Sequence, residues 1–156
     1  MIRILCVGKI KEKAMASLIG EYLKRLQPFH KCIIEETEDY PTSDGDSMNQ
    51  QVIKKESDKL LSRIKADDTV ILLDLKGESV SSVDLSKKID NYFTQSSSSL
   101  VFVIGGSLGV SETLRQRANW SWKLSDCTFP HQVVRLLVLE QIYRSFKILS
   151  GHTYHK

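Results

Sequence analysis

Four groups of residues in this chain have types and spacings suited to chemistry. The first is a glycine loop, Gly105-Gly106-Ser107-Leu108-Gly109, which follows the apolar run Leu100-Val101-Phe102-Val103-Ile104. Glycine at 105 and 106 lets the backbone approach a ligand closely and leaves N–H donors unobstructed. A plain tight turn is the competing reading. The loop lacks G-x-G-x-x-G spacing and has no Gly-Lys-Ser/Thr after it, so a ligand without phosphate suits it better than a dinucleotide or a nucleoside triphosphate.

The second group is His131 with Arg135, one helical turn apart and able to face one site. Arg135 shares a helical stripe with Leu139, Ile142, Phe146 and Leu149. An arginine in such a stripe reaches the rim, faces an anion or a substrate oxygen, or pairs with a neighbouring carboxylate. The third group is the tail, Gly151-His152-Thr153-Tyr154-His155-Lys156. Tyr154 could stack on a base, His152 and His155 could donate to RNA or relay a proton, and Lys156 could meet a phosphate. A solvated end is the plainer alternative. The fourth, His152-x-x-His155 with Cys127, offers three scattered metal ligands and no fourth, so no metal site is expected. A metal-dependent hydrolase would also want carboxylates and histidines clustered at strand ends, where only Asp74 is suitably placed.

The elements that must position these groups follow from periodicity. Residues 2–7, 31–36, 70–75 and 100–104 read as strands, and residues 122–124 as a brief fifth. Residues 14–26 read as an amphipathic helix with Leu18, Tyr22 and Leu26 on its inner face, and residues 52–64 as a second after a loop at 40–47. Ser81 or Ser82 caps a third helix to about Phe93, a serine connector at 96–99 follows, and Ser111 caps a short fourth helix. Pro130 opens a long final helix over 131–149. Alternating strands and helices predict an α/β fold: a mostly parallel sheet covered on both faces. In such sheets ligands bind beyond the carboxyl ends of the strands, here at Leu73-Asp74, Gly105-Gly106 and Leu124-Ser125.

A chain of 156 residues suits one domain, and 41% apolar with 26% charged residues is the balance of a folded globular protein. No apolar run is long enough for a membrane span, and the charged N-terminus does not read as a leader. Cys6, Cys32 and Cys127 are odd in number and widely spaced, which fits a reducing cytosol. Net charge is only +3, but Arg3, Lys9, Lys11, Lys13, Lys24 and Arg25 crowd the start, and Arg135, Arg144, Lys147 and Lys156 the end. Glu35, Glu36, Glu38, Asp39, Asp44 and Asp46 stand between them. The two ends would form one basic surface if the fold brought them together. Val133, Val134, Leu137 and Ile148 give the final helix a second apolar face, which predicts a homodimer. To this point a methyltransferase and an RNA-binding module of the ribosome without catalysis remain equally open.

Four motifs separate them: Val103-Ile104-Gly105-Gly106-Ser107-Leu108-Gly109, Leu124-Ser125-Asp126-Cys127-Thr128-Phe129-Pro130-His131-Gln132, Glu140-Gln141-Ile142-Tyr143-Arg144 and Tyr154-His155-Lys156. In order and spacing they closely resemble the RlmH family of bacterial 23S rRNA (pseudouridine-N3)-methyltransferases, in the SPOUT class, and the likeness runs the full length. The resemblance implies a trefoil knot in the C-terminal part, a rare exception among folds. It implies S-adenosyl-L-methionine as methyl donor, without metal, held by Leu73, Gly105, Leu124, Ser125, Asp126, Cys127, Thr128 and Phe129. The implied acceptor is N3 of a pseudouridine in 23S rRNA at the ribosomal subunit interface, so the ribosome and not DNA is the expected partner. Arg135 is then assigned to an oxygen of the target base, and His131, Tyr154 and His155 to positioning or proton transfer.

Overall fold

The structure is a computed structural model that describes residues 1–96 and 98–156. Five parallel strands form one sheet: β1 (Ile2–Val7), β2 (Cys32–Thr37), β3 (Thr69–Glu78), β4 (Leu100–Ile104) and β5 (Trp120–Trp122), in the order β2-β1-β4-β3-β5. Between and after them run α1 (Lys13–Leu26), α2 (Asp46–Leu61), α3 (Ser82–Gln95), α4 (Glu112–Arg117) and α5 (His131–Leu149). The expected α/β architecture with helices on both faces is what forms.

Because strand side chains alternate between faces, each central strand feeds two cores. Ile2, Ile4 and Cys6 of β1 join Leu100, Phe102 and Ile104 of β4 against α1, α3 and α5, through Ile19, Leu26, Leu85, Ile89, Leu139 and Ile142. Leu5, Val7, Val101 and Val103 point the other way, against Leu60 of α2 and Leu114 of α4. Both faces of β4 are therefore apolar throughout, and those of β1 are apolar except at the buried Arg3, as buried parallel strands require.

Several expected details differ. On α1 the inner face carries Met15, Ile19, Tyr22, Leu23 and Leu26, and Leu18 is exposed, because Ile19 one position on meets the sheet. Leu149 at the end of α5 is also exposed, since it lies beyond the sheet that covers Leu139 and Ile142. The second helix starts earlier than periodicity suggested, capped by Gly45. The fifth strand is displaced to Trp120–Trp122 because Asn119 fixes its register: the Asn119 N–H donates to Val70 O at 2.9 Å, and its Oδ1 accepts from Val70 N–H at 2.8 Å. Of the serine connector, Ser97 lies outside the described residues. Ser81 and Ser111 cap α3 and α4, accepting from the backbone N–H of Asp84 and Leu114.

The third strand does not stop at residue 75 but runs past Gly77 to Glu78. Trp122 pairs with Leu73 and again with Glu78, so residues 74–77 bulge out of the ladder. A Cβ at Gly77 would lie 2.6 Å from the carbonyl carbon of Ser121, so only glycine lets β3 rejoin β5 there.

The acidic stretch does not separate the basic ends; it neutralises part of them. Arg3, in β1, pairs with Glu35 and with Asp68 at 2.8 Å, and donates to Arg63 O at 2.7 Å, all at the N-terminal end of the sheet. Arg135 meets Glu36 in the same manner at the other end. Lys9 and Lys11, in the turn after β1, and Lys13, at the start of α1, stay exposed.

Candidate active site

Beyond the C-terminal ends of β3, β4 and β5 lies a cavity of ≈ 700 Å³. Three loops build it. The bulge contributes Leu73, Asp74, Leu75 and Lys76; the glycine loop contributes Ile104 to Val110; the segment after β5 contributes Leu124, Ser125, Cys127, Thr128, Phe129 and Pro130. His131 and Val134, on the first turn of α5, close it.

The glycine loop is tight for packing reasons. A Cβ at Gly105 would meet Val110 Cγ1 at 2.5 Å, and one at Gly106 would collide with the Glu56 carboxylate. Gly109 sits at φ +90°, where glycine is favoured, and Gly109 N–H donates to Gly106 O at 3.1 Å, closing the turn. The loop's backbone thus faces the cavity bare on one side and is backed by α2 on the other. Glu56 accepts from Tyr40 N–H at 3.1 Å; burial pushes its carboxyl above the usual range, partly offset by that bond.

Asp74 and Arg115 form the charged wall. Arg115 Nε donates to Asp74 Oδ2 at 2.7 Å and Lys76 N–H to Asp74 Oδ1 at 3.0 Å. Burial alone would raise the Asp74 carboxyl, but these donors outweigh it and hold it below the ordinary value. The cavity therefore holds a fixed negative charge beside a fixed positive one, within walls of Leu73, Ile104, Trp122 and Leu124.

His131 is half-buried. Burial and the nearby Arg135 cation lower its pKa, opposed by Asp39, so its ring is neutral at pH 7 and keeps a lone pair for a proton.

Arg135 is not open to a substrate. Its guanidinium is wholly buried, donating to Glu36 Oε1 at 2.8 Å and to the carbonyls of Val7 and Gly8 at 2.7 Å each. Of the readings open to it, the structure selects the neighbouring carboxylate, and the contact to the target base assigned to Arg135 has no exposed atom to make it. Its Nε has no partner among the described residues. Asp126 is exposed, its side chain pairs with Lys123 at 2.7 Å, and it is not among the residues that line the cavity, although its neighbours Ser125 and Cys127 are.

Tyr154 and His155 lie elsewhere. Gly151, at φ +68°, ends α5 in a reversal in which Gly151 N–H donates to Ile148 O and His152 N–H to Lys147 O, each at 3.0 Å. The tail returns along its own helix. Tyr154 OH donates to Glu140 Oε1 at 3.1 Å, and Arg144 Nη1 donates to His155 Nδ1 at 3.3 Å. Arg144 is about 15 Å along the helix axis from Val134 at ~1.5 Å per residue.

The family model "Predicted SPOUT methyltransferase" matches residues 1–155. The chain belongs to the SPOUT methyltransferase family. This SPOUT chain is also 48% identical to Ribosomal RNA large subunit methyltransferase H of Desulforamulus reducens, with 99% of this chain and 98% of that protein covered. It is 45% identical to the protein of the same name from Acetivibrio thermocellus, with 99% of each covered. Among solved structures, "a probable methylase family protein from Haemophilus influenzae Rd KW20" is 12% identical, covering 96% of this chain and 66% of that one at a TM-score of 0.49.

For this family member, sequence reasoning missed the Asp74–Arg115 pair, Lys76 and Trp122 as cavity walls. Asp74 was visible as a strand end, but its partner lies 41 residues away and left no periodic signal. Among the described residues no three His, Cys, Asp or Glu side chains are grouped to hold a metal, and no helix is long and apolar enough to cross a membrane.

Proposed function

We propose that this chain, as one domain over residues 1–156, is a cytoplasmic S-adenosyl-L-methionine-dependent methyltransferase. Its acceptor is N3 of a pseudouridine in 23S rRNA at the ribosomal subunit interface. The observation that carries this is one cavity lined by Leu73, Gly105, Leu124, Ser125, Cys127, Thr128 and Phe129 together with His131. These are the cofactor positions implied by the family motifs, Asp126 apart. The relatives named Ribosomal RNA large subunit methyltransferase H support the RNA substrate class.

The cavity fits the donor. Gly105 and Gly106 let the loop pack tightly on Val110 and Glu56 and so keep its backbone along the cavity wall, and the apolar walls suit a purine ring. When bound, S-adenosyl-L-methionine supplies a methyl group already activated on sulfur, so the protein need only align the acceptor. An imide N3 carries a proton at neutral pH; His131, neutral and at the cavity mouth, accepts it. Lys9, Lys11 and Lys13, exposed at the same end of the sheet, meet phosphates of the RNA.

The tail cannot fold into its own cavity while it lies along α5, so it completes the site of a second copy. A homodimer is favoured by the half-exposed Val133, Leu137 and Ile148 of α5, whereas Val134 packs against the core at the cavity. The trefoil knot belongs to the same proposal and rests on membership of the family alone. Mass spectrometry of rRNA from cells lacking the protein tests the whole reading. The expected result is a pseudouridine without its methyl group, restored by the intact gene; an unchanged modification profile would refute it.

A further inference from the structure

The run Glu140-Gln141-Ile142-Tyr143-Arg144 has no place in the cavity, yet each of its side chains has a defined partner. Ile142 is buried in the core beneath α5. Gln141 receives the Ser82 hydroxyl at 2.7 Å, tying α5 to α3, and donates from Nε2 to Glu140 Oε2 at 3.0 Å. The other oxygen, Glu140 Oε1, accepts from Arg144 Nη2 at 2.7 Å, Arg144 Nε at 3.1 Å and Tyr154 OH at 3.1 Å. The Arg144 guanidinium lies over the Tyr154 ring at 4.7 Å while reaching His155, and Tyr143 meets Tyr154 edge-on at 5.1 Å.

We propose that Glu140 and Arg144 are positioning residues for methyl transfer, a dock that presents Tyr154 and His155 to the RNA as a preformed arm. The proposal rests on the reading of the tail given above. An isolated surface ion pair would contribute little, but this pair is mostly shielded, its side chains 17% and 25% exposed, and Gln141 fixes it from behind. The reversal at Gly151 delivers the tail onto it. Ordering the tail in advance removes an entropic cost from RNA binding.

The dock also divides the labour within the tail. Tyr154 is the anchor: its hydroxyl is spent as a donor to Glu140, and burial together with that bond pushes it up to about 12, so it accepts no proton at neutral pH. Arginine can only donate, so His155 Nδ1 accepts in the contact with Arg144, and Nε2 of this exposed ring is the donor offered to the acceptor strand.

The test uses the full chain with ribosomes and labelled S-adenosyl-L-methionine, on Glu140→Gln, Arg144→Met, Arg144→Lys and Tyr154→Phe. Fluorotyrosine NMR follows the Tyr154 environment, and calorimetry follows the methyl donor. Arg144→Met should lower kcat by about tenfold or more with donor affinity nearly unchanged, and shift the Tyr154 resonance; Arg144→Lys should recover part of the rate. Glu140→Gln should let Tyr154 titrate at lower pH. A normal kcat in Arg144→Met with a displaced Tyr154 signal would overturn the proposal, leaving the dock merely structural. An unmoved Tyr154 signal in Glu140→Gln would overturn it as well. Should Arg144→Met fail to fold, Tyr154→Phe, which removes only the hydroxyl, decides by the same criteria. If the unaltered protein transfers no methyl group, the proposed function itself fails, an outcome distinct from active variants.

Discussion

Arg135 of α5 and Glu36 of β2 meet at 2.8 Å behind the cavity, and the same guanidinium holds the carbonyls of Val7 and Gly8 where β1 ends. This bond network sets where the turn after β1 leaves the sheet and fixes the first turn of α5, which carries His131. Arg135→Met should therefore destabilise the fold by about 3 kcal/mol or more, since two buried carbonyls lose their donor. Urea unfolding measures it. A loss of methyl transfer at full stability would return Arg135 to the direct substrate role that its burial argues against.

Gly105→Val should weaken S-adenosyl-L-methionine binding by about a hundredfold or more, because the new side chain enters the cavity and strikes Val110. Calorimetry on the folded variant decides this. Unchanged affinity would move the donor site away from the glycine loop.

His131→Gln should lower kcat by roughly 10²-fold or more with donor affinity retained, if the ring accepts the N3 proton. The sign of the pH effect follows from the lowered pKa: below 6.5 the ring stays neutral longer than an exposed histidine would, so the acid limb of kcat lies below pH 6.5. That limb should vanish in the variant. A limb that persists belongs to another group.

Glu56→Gln should raise the thermal midpoint at neutral pH. Burial lifts the folded-state carboxyl above its ordinary 4.5, so the ionised form opposes folding at higher pH, and the penalty fades as pH falls and is gone well below 4.5, where both states are protonated. Scans from pH 4 to 8 should show a gain that grows with pH. A gain independent of pH would have another origin.

Leu137→Glu should yield a monomer by sedimentation and abolish transfer, and deletion of residues 153–156 should abolish transfer while leaving donor binding intact. Thermal stability should change little on the deletion, because most of the tail is exposed. An active monomer would refute the shared site.

Much of the fold was legible because its signals are local. Leu100–Ile104 and His131–Leu149 form where periodicity placed them, since an unbroken apolar run and a proline-led helix each commit within their own residues. That the glycine loop and the segment after β5 would line the cavity at the strand ends was legible because glycines and strand ends mark where a parallel sheet opens to ligands.

What the sequence by itself determined is the α/β pattern, the family, and the residue types that gather at the strand ends. Only the tertiary structure decided which charges are free. Arg3 and Arg135 look like their lysine neighbours in sequence, but they are spent on Glu35 and Glu36, partners 32 and 99 residues distant. Only the fold, too, showed that Gly77 lets β3 continue past a bulge and that the tail lies against Glu140 and Arg144, away from its own cavity. The physical reason is common to all three: a hydrogen bond or a close contact depends on distance in space, and no periodicity along the chain encodes a partner many residues away.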